Sequence, residues 1–475
     1  MTLQAILLFS GLALVLRLAW YRRTRLWVLM VTSVLAVYWM QPSMPVRNLD
    51  FWLPTATLAL VLLGWILVTP PEARRERRNL WAGLVLLALV CGVALTRYLS
   101  QTGILTPSRP PQFAAVAPVL LGLAVLAVLL GRYTRPGRIL LSLGTLGLIV
   151  LLVVLKQPSL AQGAAATLRD LVGQNPALAT PLDVRWLGFS YLAFRLIHTF
   201  RDRQSGRLPV VSLPEYLVYA VFFPAFTAGP IDRLERFVKD LRAEPPAAAG
   251  DFMEGGRRLV LGLFKKFVLA DSLALIALNS ANAQQTQSTG WMWLWVYAYA
   301  LQIYLDFSGY TDIAIGMARL LGIKLPENFN RPYLRPNLTQ FWNNWHMTLT
   351  QWFRAYFFNP VTRALRRGEH PWPPVAVIFV TQMATMLLIG LWHGITFNFI
   401  LWGLWHGLGM FVQNRWSDWV RPRLPGWATR PFWQRALPVL GALLTFHFVA
   451  LGWVWFALPD PALSWHVLVT LLGGR

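Results

Sequence analysis

The chain has 475 residues, 56% of them hydrophobic and 13% charged, with a formal net charge of +23. Soluble domains usually carry about 25% charged residues, so an ordinary soluble enzyme is excluded. The arginines sit in short connections between apolar runs rather than in a separate basic domain, which excludes a nucleic-acid binder. The single cysteine, Cys91, lies inside an apolar run, so no disulfide or cysteine-based metal site can form within one chain.

Six apolar runs fill the first third: Leu3–Trp20, Leu26–Met40, Phe51–Val68, Leu80–Leu95, Phe113–Leu130 and Ile139–Leu155. A hydrocarbon core needs about 20 apolar residues per helical span, and each span must satisfy its own backbone. The first run lacks a basic n-region and is followed by Arg22, Arg23 and Arg25, so it reads as a retained span rather than a signal peptide. Arg74, Arg75, Arg77 and Arg78 follow the third run, and Arg132, Arg135 and Arg138 the fifth. The intervening connections hold only Arg47, then Arg97 and Arg109. The positive-inside rule then puts the basic loops in the cytoplasm, against anionic lipid, and the N-terminus outside. Lys156–Trp186 is polar and contains Ala and Pro; it reads as an outside loop. Residues 1–186 therefore form an N-terminal group of six transmembrane helices.

Residues 187–475 are less regular. The runs Leu187–Phe200, Leu213–Ala228, Leu259–Leu278 and Trp291–Phe307 are interrupted by Gly, Pro and charge. Broken backbone at membrane depth is tolerated only where it is buried in protein or lines a cavity, so this half is where a site is expected. Pro230–Leu241 mixes Ile231, Leu234, Phe237 and Val238 with Asp232, Arg233, Arg236 and Lys239. It reads as an amphipathic helix on the cytoplasmic surface, which makes Leu213–Ala228 re-entrant. Val375–Trp392, Phe397–Val412, Leu437–Phe456 and a weaker Leu463–Leu472 complete the set. The expected fold is all-α, a polytopic membrane helix bundle of about 11–13 spanning or re-entrant helices.

Of seven histidines, two stand out. His393 ends the run Val375–Trp392, and an ionisable group inside a span is a functional hypothesis by default. Desolvation favours neutral imidazole, a good general base; helix packing across a bundle is the competing reading. His346 lies in Gln340-Phe-Trp-Asn-Asn-Trp-His-Met-Thr-Leu-Thr-Gln-Trp-Phe-Arg354. Read as one helix, this puts Asn343, His346 and Thr350 on a common face, with an interfacial aromatic belt as the alternative. Two histidines without a carboxylate or thiolate fall short of a zinc set, so no metal is expected. His406 repeats the Leu-Trp-His-Gly pattern, but on one helix it points about 140° away from His393. Asp306 and Asp312, Gly229–Arg233 and Glu327–Tyr333 also stand out as polar groups in apolar surroundings; from the residues alone, loop and cap chemistry is the favoured reading.

Five motifs in order resemble the bacterial branch of the membrane-bound O-acyltransferase family. They are Thr227-Ala-Gly-Pro-Ile-Asp-Arg233, Asp306-Phe-Ser-Gly-Tyr-Thr-Asp312, Pro326-Glu-Asn-Phe-Asn-Arg-Pro-Tyr333, Phe341-Trp-Asn-Asn-Trp-His-Met-Thr-Leu349 and Gly390-Leu-Trp-His-Gly394. The resemblance covers about Leu187 to Phe456, so residues 187–475 are expected to form the family core. It implies helices around a central tunnel, with His393 as the catalytic histidine and His346 assisting. It further implies that Asn343, Trp345, Thr350, Arg354, Trp392, Asp306 and Asn328 bind substrate, stabilise an oxyanion or line the tunnel. The chain departs from the family pattern at Ala355, where an acidic residue is usual, at Trp453-Val-Trp-Phe-Ala457 and at the Asn343-Asn344 pair.

The implied activity moves an acyl group from a cytoplasmic thioester to a hydroxyl of an extracytoplasmic acceptor such as a surface polysaccharide or teichoic acid. The thioester donor, an acyl-carrier-protein phosphopantetheine or acyl-CoA, is a substrate; no permanently bound cofactor is expected. Expected partners are the lipid bilayer, the donor carrier, and an acceptor polymer or partner acyltransferase; the location is a bacterial plasma membrane. Arg331, Arg335, Arg354, Arg363, Arg366 and Arg367 offer a basic surface for an acidic carrier or coenzyme A phosphates, or for anionic lipid. A transporter explains the broken helices as well, and a non-catalytic scaffold explains the location; neither requires the two histidines.

Overall fold

The computed structural model describes residues 2–18, 24–99, 105–135, 137–243, 249–367, 369–423 and 430–474; Trp20, Arg22 and Arg23 of the first connection lie outside them. Among the described residues all regular structure is helical. Among the described residues six helices are long and apolar enough to cross a membrane: Leu49–Val68, Arg77–Tyr98, Phe113–Tyr133, Arg138–Lys156, Pro374–His393 and Pro431–Ala457. Leu3–Leu18, Arg25–Met40, Leu213–Ala225 and Pro461–Leu471 are shorter apolar helices. The chain is thus a multi-pass helical membrane protein, and every predicted run of the first third forms a helix.

The helices divide between two compact units. The first contains Met1–Leu259 and Ile313–Pro326, the second Val260–Asp312 and Glu327–Arg475. The helix Thr289–Leu320 contributes to both.

In the first unit, buried arginines close helix ends. Arg74, in a basic connection, donates from Nε to Thr69 O (2.8 Å) and from Nη1 to Gly131 O and Thr134 O (both 2.9 Å). It thereby satisfies the C-terminal carbonyls of two spans, where a cation is favourable. The segment predicted as re-entrant is broken: the helix Leu213–Val221 is followed by a 3-10 turn at Phe223–Ala225. Arg195, on the preceding helix Phe189–Gln204, donates to Ala220 O (2.9 Å) and Ala225 O (2.5 Å) at this break. Carbonyls freed from a helix in an apolar interior need such a partner.

The motif Thr227–Arg233 serves the same break. A Cβ on Gly229 would lie 2.5 Å from the Ala225 Cα, so only glycine fits. Tyr219 donates its hydroxyl to Asp232 O (2.9 Å), and the Leu234 N–H donates to His198 Nε2 (3.2 Å). Asp232 pairs with Arg236; burial nevertheless pushes its pKa up to about 6 against the pull of that guanidinium. The predicted amphipathic helix is present as Leu234–Ala243, with Leu234, Phe237, Val238 and Leu241 buried. Lys156–Trp186 differs from the loop expected. It contains a helix, Pro158–Leu171, because Ala161 and Ala165 pack against Val46, Leu49, Leu53, Ala179 and Val184, and Arg169 pairs with Asp183 (2.6 Å).

In the second unit the motif Asp306–Asp312 faces a π-helical segment, Phe264–Ala270. A Cβ on Gly309 would lie 2.8 Å from Gly262 O, so the glycine allows two backbones to touch. Lys265 pairs with Asp312 (2.6 Å) and Lys266 with Asp306. Asp306 is therefore accounted for by an ion pair.

Candidate active site

Read as one helix, Gln340–Arg354 was expected to align Asn343, His346 and Thr350. It instead forms two short helices, Leu338–Asn344 and Met347–Phe353. His346 sits at the break with φ of 41°, in the left-handed region, which costs a non-glycine residue energy unless the surroundings enforce it. The enforcement comes from Pro326–Tyr333. The Asn330 N–H donates to Asn344 O (3.0 Å), and the Met347 N–H donates to Asn328 O (2.9 Å). The Asn328 side-chain oxygen faces His346 Nδ1 (3.1 Å), the Thr348 N–H (3.2 Å) and the Thr348 hydroxyl (2.9 Å).

His346 is buried, and its Nε2 has no hydrogen-bond partner among the described residues. It lies outside the six span helices; burial holds its pKa down to about 3, so the imidazole is neutral. Phe307 meets the ring edge-on, with centroids 4.7 Å apart. Trp345, next in sequence, turns into an aromatic stack with Phe341 (5.5 Å), Tyr333 (5.7 Å) and Trp453 (5.0 Å). Tyr333 is fixed by its hydroxyl, which donates to Ala300 O (2.7 Å) and accepts from Trp453 Nε1 (3.0 Å).

His393 is the last residue of the helix Pro374–His393 and is half-buried. Its ring packs against Trp392 (4.6 Å), Phe456 (4.8 Å), Trp402 (5.8 Å) and Phe399 (5.9 Å). Trp392 also contacts His346, with centroids 6.2 Å apart. The two histidines, 47 positions apart in sequence, are thus brought against one indole. Gly390 permits the approach of the next helix: a Cβ there would lie 2.3 Å from Phe399 O. His406 is on that next helix, Phe397–Arg423, fully buried among Trp342, Trp402, Phe448 and Trp453.

A cavity of about 350 Å³ is lined by residues of the helices Leu338–Asn344, Met347–Phe353 and Pro374–His393; neither histidine is among its lining residues. Trp342, Asn343, Thr350 and Arg354 line it from one side, and Gln382, Thr385, Met386 and Ile389 from the other. Asn343 Oδ1 accepts from Arg354 Nη2 (2.6 Å). The walls are mainly apolar, with a few convergent polar groups, which is the usual composition of a ligand pocket. No group of three or more His, Cys, Asp or Glu suited to a metal occurs among the described residues.

The family model for membrane-bound O-acyltransferases matches residues 138–457. The chain belongs to this family. It is 32% identical over 326 residues to a probable alginate O-acetylase of Pseudomonas aeruginosa, covering 68% of this chain and 58% of that protein. It is 31% identical over 288 residues to a teichoic acid D-alanyltransferase of Streptococcus thermophilus, covering 58% of this chain and 68% of that one. A peptidoglycan O-acetyltransferase of Helicobacter pylori is 32% identical over 293 residues, covering 58% of this chain and 51% of that protein.

Within this member of the family, the residues singled out from sequence divide into three groups. His346, Asn328, Trp392 and His393 form one connected cluster. Asn343, Thr350 and Arg354 line the cavity, and the helix break separates them from the face that His346 was expected to share. Trp345 belongs to the aromatic stack, and Asp306 to the Lys266 pair. Sequence reading missed Phe307, the ring against His346, and Gln382, whose buried Oε1 has no partner among the described residues. A lone amide inside the apolar run Val375–Trp392 was the available signal for Gln382.

Proposed function

We propose that the protein transfers an acyl group from a cytoplasmic thioester to a hydroxyl of an extracytoplasmic polymer, a polysaccharide, teichoic acid or peptidoglycan. The observation that carries this reading is the placement of both motif histidines against Trp392. One imidazole takes the proton of the acceptor hydroxyl; His393, at the position the family motif marks, is the first candidate. The hydroxyl oxygen forms the new C–O bond at the thioester carbonyl. The C–S bond breaks, and the leaving thiolate takes the proton back from the imidazolium. General-base catalysis of this kind contributes about 10²–10⁴-fold.

The donor is an acyl-carrier-protein phosphopantetheine or acyl-CoA. The helix Asn359–Arg366, adjoining the cavity, exposes Arg363 and Arg366, with Arg367 following; these suit the acidic surface of a carrier or the phosphates of coenzyme A. The bacterial plasma membrane is the location, with the N-terminus outside.

The test is the ester-linked acyl content of surface polymers, released by mild base and identified by mass spectrometry. Deletion and His393→Ala, expressed at the wild-type level, are expected to lose the same ester. Loss on deletion with retention in His393→Ala would point to a transporter or scaffold instead.

A further inference from the structure

In the second unit, the end at which the helix Pro374–His393 stops is built as one connected surface. The chain turns at Gly394, and Asn398 donates from Nδ2 to Leu458 O (2.5 Å) and to Ser464 Oγ (3.1 Å). Ser464 lies on the helix Pro461–Leu471. The last carbonyls of that helix accept from the start of another: Thr289 Oγ1 donates to Thr470 O (2.9 Å), and Trp293 Nε1 to Leu471 O (3.2 Å). The loop before Thr289 is tied to the same place. Trp295 Nε1 donates to Thr286 Oγ1 (3.1 Å), and the Leu278 N–H to Trp295 O (3.0 Å). Asn279 and Asn282 form a capping box around Ser280–Gln285, which fixes the loop's backbone. Trp291 and Trp295, one turn apart, stack with centroids 5.4 Å and planes 23° apart, and Trp291 is 57% exposed. Gln284, Gln285 and Gln287 are exposed in the loop that Thr286 ties to Trp295. Ser272–Leu305 contains no charged residue. Lys and Arg are also absent between Arg367 and Arg415 and between Arg435 and Arg475, so the segments that build this surface bring no cation to it.

We propose that this surface, the indoles of Trp291 and Trp295 with the amides of Gln284, Gln285 and Gln287, binds a neutral glycan, the polymer whose hydroxyl is acylated. The proposal rests on the acyl-transfer reading and narrows it. Indole faces are electron-rich and accept C–H groups, so sugar rings lie on the stacked pair. Primary amides both donate and accept, which matches hydroxyls. A polyuronate or polyphosphate acceptor calls instead for Lys or Arg and meets no counter-charge here. An aromatic belt at a membrane interface explains the indoles, but it does not call for an uncharged amide loop tied to them. The contacts through Asn398 and the helix Pro461–Leu471 hold the platform at the same end of the unit as His393.

The test is saturation-transfer NMR of sugar protons, with the full chain in nanodiscs titrated with maltohexaose, cellohexaose, chitohexaose or a mannuronate hexamer. Wild type is expected to bind a neutral hexamer and not the mannuronate. Trp291→Leu/Trp295→Leu keeps the apolar surface that a membrane belt needs, and is expected to weaken neutral binding about 10-fold through loss of both stacking rings. Gln285→Lys/Gln287→Lys supplies counter-charge at the same place and is expected to gain mannuronate binding; this variant decides the matter if the leucine variant does not fold. Preference of wild type for mannuronate, binding of no neutral hexamer, undiminished binding by a monodisperse leucine variant, or no gain in the lysine variant would each overturn the proposal. Ester found only on a polyuronate or polyphosphate fraction of the cell surface would overturn it while leaving the acyl-transfer reading intact. An absence of any ester in wild-type cells, with neutral hexamer still bound, would overturn the acyl-transfer reading and leave the glycan surface standing.

Discussion

His406 and Gly452 show how tightly single residues are specified around the histidines. His406 is fully buried, and neither ring nitrogen has a hydrogen-bond partner among the described residues. Its ring is held by contacts to Trp342 (5.0 Å) and Trp402 (4.9 Å). A Cβ on Gly452 would lie 2.6 Å from His406 Nε2 and 3.0 Å from Trp405 Cδ1. With aromatic rings on its other sides, the imidazole has nowhere to move. Gly452→Ala is therefore expected to cost about 1–3 kcal/mol through overpacking, read as a lowered thermal midpoint in detergent. In the Gly452→Ala/His406→Ala double variant the new methyl meets a vacated site, so the loss should be smaller than the sum of the single losses. Additive losses would show that the two residues are not in contact. His406 repeats the local sequence of His393 but belongs to the packing. The repeat was legible; the difference was not, because it lies in which rings surround each imidazole. His346 gives the same lesson in reverse. Its residue type and neighbours marked it, but its left-handed backbone is imposed by Asn328 and Asn330, 19 and 14 positions from their backbone partners Met347 and Asn344, and a non-glycine residue gives no local sign of that conformation.

At the scale of elements, apolar runs translated into helices because length and hydropathy alone decide a span. That Leu213–Ala228 does not run straight through was legible only indirectly, from the basic amphipathic stretch Pro230–Leu241 that follows it; the helix itself ends after nine residues. What closes the break was not legible, because Arg195 precedes it by 25 and 30 residues and looks like any helix arginine. Arg195→Met preserves volume but strands the carbonyls of Ala220 and Ala225. Hydrogen bonds from a charged donor are worth about 1.5–3 kcal/mol each, and the two orphaned acceptors remain buried. A loss of about 3 kcal/mol or more is expected in the thermal unfolding of the solubilised protein, together with new protease cleavage near Phe222–Phe226. A variant as stable and as resistant as wild type would mean that the carbonyls have other partners. The helix Pro158–Leu171 was missed because its polar composition suggested a loop. Its proline at the first turn and its alanines were helix signals, and burial of Ala161 and Ala165 completed it.

At the scale of the molecule, the return of Ile313–Pro326 to the unit built by the first 259 residues has no signature in composition; it follows from contacts made only once the chain is folded. Orientation is the opposite case, since it is encoded in arginine placement and can be tested directly. The helix Arg77–Tyr98 separates the exposed Arg78 from Gln112, which is exposed at the start of the next span, Phe113–Tyr133. Four arginines flank the first end and two the second, so the positive-inside rule puts Arg78 in the cytoplasm and Gln112 outside. Cys91, the only native thiol, is replaced by alanine to give a background for single Arg78→Cys and Gln112→Cys probes. An impermeant maleimide added to intact spheroplasts is expected to label the Gln112→Cys protein at once and the Arg78→Cys protein only after the membrane is opened. Each span crossed reverses the side, so this pattern also puts the N-terminus outside through the three preceding apolar helices. The reversed pattern would put it inside and invert the faces on which donor and acceptor are proposed to arrive. The chemistry at His346 and His393 would be unchanged by that inversion, but the thioester would have to reach them from the side now assigned to the polymer.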